Sequence, residues 1–322
     1  MNRRSKLHLL NVNCEHMKKI LITGASGMVG KHLTKALTEK GYLVHALVRK
    51  PQPDTPQVKY FTWDVEKGII DKTCIEDVDA IVHLAGENIG KKPWSKRVRT
   101  HILQSRTDSI GLLYKLLATV DHQIKLVVSA SGTGYYGSKC DELLNEDRVP
   151  ADDFLGQTCF AWEMAVAKGR SLGLRTLSLR SGVIFAKDQG ILPKLAAPIK
   201  LGLGATLGNG KQYLSWIHLD DAVAMYIYAL EHPTLQGVYN MVAPEPVTNK
   251  QLNRQIAKIL GKPLWLPPVP AFVLKSILGK MSDLLLDSTR VSPEKIIKAG
   301  FRFQYPTLET ALKNIFSKED RP

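Results

Sequence analysis

Three glycines raise the first chemical question. In ILITGASGMVG, residues 20–30, Gly24, Gly27 and Gly30 recur at a spacing of three. A glycine run between a strand and a helix brings backbone N–H groups close to a phosphate. The first glycine permits the tight turn, the second lets the backbone approach a pyrophosphate, and the third lets the helix pack closely on the strand. Ser26, Met28 and Val29 complete the loop and share its backbone. Three glycines alone would mark only a turn. After the apolar KILIT and before an amphipathic helix they mark a dinucleotide loop, one residue off the G-x-G-x-x-G spacing. About 20 residues further on, NAD enzymes carry an acid that bonds the ribose 2′-hydroxyl. Strand two here ends Ala46-Leu47-Val48-Arg49-Lys50, with no acid. Arg49 and Lys50 would instead pair with a 2′-phosphate, Arg bidentately. The expected cofactor is therefore NADP(H). Arg106 and Arg180 are candidates to hold an anionic substrate, with a structural acid as the competing partner for Arg180. His218, at a strand end, is a candidate phosphate ligand or base, or else a hydrogen-bonded structural histidine.

The elements that must position these residues alternate. KILITG (19–24) reads as a buried parallel strand. A helix follows, with Val29, Leu33, Ala36 and Leu37 on one face and Gly41 just past its end. Further strands are expected over 42–49, Phe61 to Asp64, Asp79 to Gly86, 124–131 and 174–185, with helices over Ser105 to Thr119 and about 156–172. This order predicts an α/β fold, a doubly wound parallel sheet of Rossmann type with ligands at the carboxyl ends of its strands. The nucleotide domain is expected to span 17–185, and residues 215–240 to return to it. A smaller C-terminal substrate lobe is expected over 186–322, where glycines and prolines become frequent. Asp220 or Asp221 is the expected N-cap of the helix carrying Val223, Ile227 and Leu230.

The motifs resemble those of the short-chain dehydrogenase/reductase superfamily. Thr23-Gly24-Ala25-Ser26-Gly27-Met28-Val29-Gly30 matches its T-G-x-x-G-x-x-G loop, and His83-Leu84-Ala85-Gly86 its H-x-A-G strand end. Ser215 to Asp221 and Gly237-Val238-Tyr239-Asn240 resemble segments of its extended members. Gly86-Glu87-Asn88-Ile89, Trp94, Lys96, Ser105-Arg106, SASGTGYYG (129–137) and 292–312 resemble the atypical, nucleoside-diphosphate-sugar-epimerase-like subgroup of YfcH type. The resemblance covers about residues 18–316. It implies an Asp near the adenine at Asp64, and a path to the nicotinamide ribose along Leu84, Ala85 and Gly86, with Glu87 on the substrate side.

Reductases of the superfamily use a Ser-Tyr-x-x-x-Lys set, in which the phenol handles a proton and the lysine lowers its pKa. No Tyr-x-x-x-Lys occurs in the corresponding helix, which reads Thr158-Cys159-Phe160-Ala161-Trp162-Glu163. Cys159 and Glu163 keep the i, i+4 spacing, one helical turn apart, and the resemblance implies that they occupy those two sites. Ser131 is the choice for the serine role, and one of Tyr135 and Tyr136, Tyr135 first, is a candidate replacement phenol.

Composition narrows the classes. Of 322 residues 44% are hydrophobic, enough for one large α/β unit with a lobe, and no run is long enough for a membrane span. The first 16 residues read as a disordered or non-native tail, with Met17 as a possible start. Four cysteines without metal spacing point to a reduced, cytoplasmic chain with no metal site. The charge of +14 favours anionic partners. Only 7% of residues are aromatic and no stacking motif interleaves with basic residues, so charge alone speaks for nucleic acid, and a small anionic substrate is the expected partner. A homodimer is the expected assembly. Two functions follow: an NADP(H)-dependent oxidoreductase or epimerase on a sugar-nucleotide-like anion, or a non-catalytic NADP(H)-binding regulatory or interaction module that lacks the Tyr-x-x-x-Lys pair.

Overall fold

The computed structural model describes residues 18–139 and 141–316. The expected tail, Met17, Cys14 and Cys140 lie outside the described residues. The described residues open with β1 (Lys19–Thr23), α1 (Met28–Glu39), β2 (Leu43–Val48), β3 (Val58–Asp64), the short β4 (Ile69–Ile70) and β5 (Ala80–His83). It continues through α2 (Lys96–Leu117), β6 (Leu126–Gly132), β7 (Leu143–Leu144), α3 (Phe154–Ala167) and β8 (Arg175–Ser181). Among the described residues, one eight-stranded sheet runs β12-β8-β6-β5-β1-β2-β3-β4, where β12 is Gly237–Met241. Every neighbouring pair is parallel except β3 with β4. The order reverses between β1 and β5, the point at which such sheets open a crevice.

Both faces of the sheet are buried, which is why its strands read as continuous apolar runs. In β1, Ile20 and Ile22 join one core with Leu33 and Leu37 of α1. Leu21 points the other way, into a second core with Ile110 and Leu113 of α2 and Trp162 and Val166 of α3. The remaining elements are β9 (Val183–Phe185), α4 (Leu192–Lys200), β10 (Tyr213–Leu214), β11 (Trp216–His218), α5 (Leu219–Glu231), β13 (Val247–Thr248) and α6 (Asn249–Ile259). After these come α7 (Ala271–Leu278), α8 (Asp283–Leu286), β14 (Arg290–Val291), α9 (Glu294–Lys298) and α10 (Leu308–Ile315). A third core joins Leu192 and Ile199 of α4, Leu252 and Ile256 of α6, and Leu312 and Ile315 of α10. Helix α5 instead packs on the main sheet, through Ala222, Val223 and Tyr226.

Three expected boundaries move, each for a local reason. Helix α2 starts well before Ser105, because Ser95 caps it by accepting from Val98 N at 3.3 Å. The strand expected over 174–185 breaks at Gly182, where a Cβ would lie 2.5 Å from the Ser215 carbonyl. The chain then changes partner, and β9 pairs in parallel with β11. The N-cap of α5 is His218, whose Nδ1 accepts from Asp220 N at 3.1 Å. Asp221 is instead drawn away, accepting from the backbone of Gln304 at 2.7 Å and Tyr305 at 2.9 Å.

Nε2 of His218 faces Asn314 Oδ1 at 3.1 Å, so the ring also ties α5 to α10. Replacing an N-cap costs about 1–2 kcal/mol. His218→Ala should lose about that much in urea denaturation, and His218→Asn, which keeps a capping acceptor, should recover part of it. Unchanged stability in His218→Ala would remove the capping role.

Candidate functional site

The glycine loop sits at the carboxyl end of β1 and is shaped by contacts that exclude side chains. Gly24 has φ +71°, and a Cβ there would meet the Leu84 carbonyl at 2.8 Å. A Cβ on Gly30 would lie 2.2 Å from the Gly24 carbonyl. Thr23 fastens the loop to the end of β5: its Oγ1 accepts from Leu84 N at 3.1 Å and Ala85 N at 3.0 Å. Helix α1 has Gly27 as N-cap, with no side-chain cap and no acid in its first turn. The amides of Met28, Val29 and Gly30 therefore have no acceptor within the helix, and Lys31 N is the first to bond back, to Gly27 O. Bare amides at a positive helix end suit an anion, and the empty Cβ positions leave room for it. The residues present thus fit the pyrophosphate of a dinucleotide.

From this loop a cleft of about 480 Å³ runs past Leu84 to Ser131, Cys159, Trp162 and Arg106. Ser131 donates to Glu163 Oε1 at 2.7 Å. Glu163 is clamped bidentately by Arg180, whose Nε and Nη2 each lie 2.8 Å from its oxygens. This pair is buried, with side chains 3% and 10% exposed for Arg180 and Glu163. Arg180 Nη1 also donates to the Tyr136 hydroxyl at 2.9 Å, and that hydroxyl donates to Asn240 Oδ1 at 2.7 Å. The Arg180 guanidinium lies 3.4 Å from the Tyr135 ring centre. Burial works to lower Arg180, but its bonds to Glu163 outweigh burial and hold it above the ordinary guanidinium range.

Of the expected catalytic residues, Ser131 and Cys159 line the cleft, whereas Glu163 and Tyr135 stand behind them. Glu163 is taken up by Arg180 and presents no free acid to the cleft, while Tyr135 lays its ring against the same guanidinium and is not among the residues that line the cleft. Arg180, expected on the substrate, is spent on Glu163 for the same reason. Burial first, and the Glu163 charge second, push the Cys159 thiol up to about 12, so it is neutral at pH 7.

Arg106 is the cation that does line the cleft. Its Nη1 donates to Ile102 O at 2.7 Å and its Nη2 to Glu87 O at 3.0 Å, and its guanidinium stacks 5.0 Å from the Trp162 ring centre. No carboxylate among the described residues pairs with it, and burial pulls it below the usual guanidinium range. Gly86 leaves it space, since a Cβ there would lie 3.1 Å from Arg106 Cζ. Beneath it, His83 is wholly buried between Ser109 Oγ at 2.8 Å and Ser129 Oγ at 3.1 Å, and receives the Trp162 indole N–H at 3.4 Å. Burial, then the Arg106 charge, push His83 down to about 3, so it is a neutral hinge pin for Trp162.

The other expected residues fall as follows. Arg49 and Lys50 are exposed at the carboxyl end of β2, and no bond among the described residues engages either side chain. Ser26 is exposed at the loop tip. The Asp64 carboxylate is used by its own turn, accepting from Lys67 N at 3.1 Å. The Glu87 side chain faces His101 at 3.8 Å, and only its backbone carbonyl meets Arg106. His218 does not line the cleft and acts as a cap and tie. Sequence reasoning gave Trp162 no functional role, and it named Thr23 and His83 only as letters of the T-G-x-x-G-x-x-G and H-x-A-G motifs. Among the described residues no helix could cross a membrane, and no group of three or more His, Cys, Asp or Glu is placed to hold a metal ion.

Asp153, Asp283 and Asp287 line the opposite wall. Burial, then the charges of Asp283 and Asp153, lift Asp287 to about 6. An acid whose folded pKa exceeds its unfolded value contributes fully to stability below about pH 4 and loses that contribution as pH rises through 6. Asp287→Asn should therefore be more stable than the parent at pH 8, by about 1 kcal/mol after allowing for solvent screening, and equal to it at pH 4. Thermal unfolding at the two pH values checks this; an identical difference at both would contradict it.

Comparison with known proteins follows the same lines. The NAD dependent epimerase/dehydratase family pattern matches residues 20–242, and a domain of unknown function, DUF1731, matches residues 269–315. The chain is 36% identical over 300 residues to epimerase family protein YfhF of Bacillus subtilis (strain 168), covering 92% of this chain and 98% of YfhF. Human epimerase family protein SDR39U1 (isoform 2), solved with NADPH, superposes with a TM-score of 0.80 at 30% identity, over 92% of this chain and 98% of that one. A nucleoside-diphosphate sugar epimerase from Corynebacterium glutamicum gives a TM-score of 0.74 at 28% identity, over 92% of this chain and 58% of that one. Matched by that family's pattern over residues 20–242, and 36% identical to YfhF over 92% of its length, the chain belongs to the NAD dependent epimerase/dehydratase family, among the atypical short-chain dehydrogenases/reductases.

Proposed function

We propose that this chain binds NADP(H) along the cleft and acts as an oxidoreductase or epimerase on a small anionic, sugar-nucleotide-like ligand. The observation that carries the reading is a single cleft with bare helix amides at one end and Arg106, a cation without a carboxylate, at the other. Met28, Val29 and Gly30 would hold the pyrophosphate through their amides, with Gly24 and Gly27 making room. Arg49 and Lys50 would take the 2′-phosphate, to which neither is lost in an ion pair. Leu84 lines the route, while Ala85 and Gly86 shape it from behind. When bound, the nicotinamide supplies hydride exchange. The protein's part is to seat the ligand anion on Arg106, orient a hydroxyl at Ser131 and present a neutral Cys159 thiol. The relative SDR39U1, solved with NADPH, supports the cofactor. Two free, buried thiols, Cys74 and Cys159, accord with a reduced, cytoplasmic setting.

One observation favours a second reading, an NADP(H)-binding module without turnover. The positions of the usual proton-handling pair hold a thiol that stays neutral and a carboxylate committed to Arg180. Consumption of NADPH above background with a panel of nucleotide sugars and 2-oxo acids would sustain catalysis. No consumption by any of them would leave the binding module.

Gly27 separates binding from folding. A Cβ there would lie 3.2 Å from the Gly24 carbonyl, a contact that small shifts relieve, unlike the 2.2 Å at Gly30. Gly27→Val should keep the fold, with parental circular dichroism and unfolding, and lose NADPH binding by roughly 100-fold or more, as its branched side chain fills the phosphate space. Normal NADPH affinity in this variant would reduce the loop to a turn.

A further inference from the structure

Ser131 faces the cleft with its only proton already given away. The hydroxyl donates to Glu163 Oε1, a charge-assisted bond of 2.7 Å. Glu163 has no alternative donor role, because its two oxygens also receive Arg180 Nε and Nη2. Arg180 is itself held from three sides, by Glu163, by the Tyr136 hydroxyl and by the Tyr135 ring. Beyond it, Tyr136 donates to Asn240, and Asn240 Nδ2 donates to Ser292 O at 3.0 Å. The Ser131 proton is thus committed to Glu163, and the bonds behind it run on through Arg180, Tyr136 and Asn240. Among the described residues no donor reaches Ser131 Oγ, so its lone pairs are what the cleft wall offers.

We propose that Ser131 is fixed as a hydrogen-bond acceptor toward the cleft and therefore selects a ligand hydroxyl at this point, with Glu163 and Arg180 as positioning residues. The inference deepens the NADP(H) reading and rests on it for the cleft's use. A carbonyl oxygen placed here would need the Ser131 proton, and taking it would break a charge-assisted bond and leave a buried carboxylate one partner short. A hydroxyl instead extends the chain of donation, ligand O–H to Ser131 to Glu163, and successive bonds of one direction polarise one another. The polarity is the reverse of a serine that donates to a substrate carbonyl. Two hydroxyls could fill the position: one on the cofactor's ribose, or one on a second, anionic ligand seated on Arg106.

Neutron diffraction from deuterated crystals grown with NADPH reads the polarity directly. The expected result is deuterium on the line between Ser131 Oγ and Glu163 Oε1, with a ribose or solvent O–D directed at Oγ from the cleft. Deuterium on Ser131 directed into the cleft would overturn the proposal. Crystals without NADPH in the cleft would instead undo the cofactor reading, while still reporting the Ser131 proton. Calorimetry of Ser131→Ala then names the source of the hydroxyl. A roughly tenfold loss of NADPH affinity assigns it to the ribose, and affinity within about twofold of the parent assigns it to the second ligand.

Discussion

The close approach of α1 to β1 governs the rest of the site. The Gly24 carbonyl occupies the space that a Cβ on Gly30 would need, 2.2 Å away. Only a glycine at that position lets the helix start so near the strand end. With the helix this close, its first amides open over the crevice where the strand order reverses between β1 and β5. Thr23 then locks β5 to the same point by accepting from Leu84 and Ala85. One steric constraint and one side-chain hydroxyl thus aim a positive helix end, the exit of β5 and the residues of β6 into a common cleft.

Deeper in the cleft the electrostatics differ from those that a Tyr-x-x-x-Lys pair would set up. A lysine beside a tyrosine would stabilise a phenolate. Here a carboxylate stands one turn from a thiol, and its negative charge acts with burial to keep that thiol protonated. The carboxylate is in turn neutralised by Arg180, itself buried in β8. A buried ion pair of this kind is costly to break from one side, since either partner alone leaves a buried charge. The network therefore acts as a rigid backing for Ser131 rather than as a proton reservoir. The charge available to a ligand is Arg106, separated from that network and supported by Trp162 and the neutral His83.

What was legible in the sequence was local. The glycine loop, the alternation of strands and helices, and the missing acid after Val48 all rest on neighbours a few residues apart. The path of β12 back into the main sheet was also visible, because residues 237–241 carry a strand pattern next to an amphipathic helix. What was hidden depends on partners far along the chain. Glu163 looked like a free helix carboxylate until the fold brought Arg180 from the next strand and Ser131 from the previous one. Asp221 looked like a cap, yet the backbone of Gln304 and Tyr305 claims it and leaves the capping to His218. The strand over 174–185 had no internal sign of its break, since the carbonyl that requires Gly182 belongs to Ser215.

The central claim is that the bare amides of α1 and the free cations after β2 together make a site for NADP(H). Isothermal calorimetry with NADPH and NADH on the parent and on Arg49→Asp tests it most directly. The account predicts NADPH at least about tenfold tighter than NADH in the parent, a difference near 1.4 kcal/mol, and that preference lost or reversed in Arg49→Asp. Equal affinities in the parent, or a preference untouched by Arg49→Asp, would contradict it.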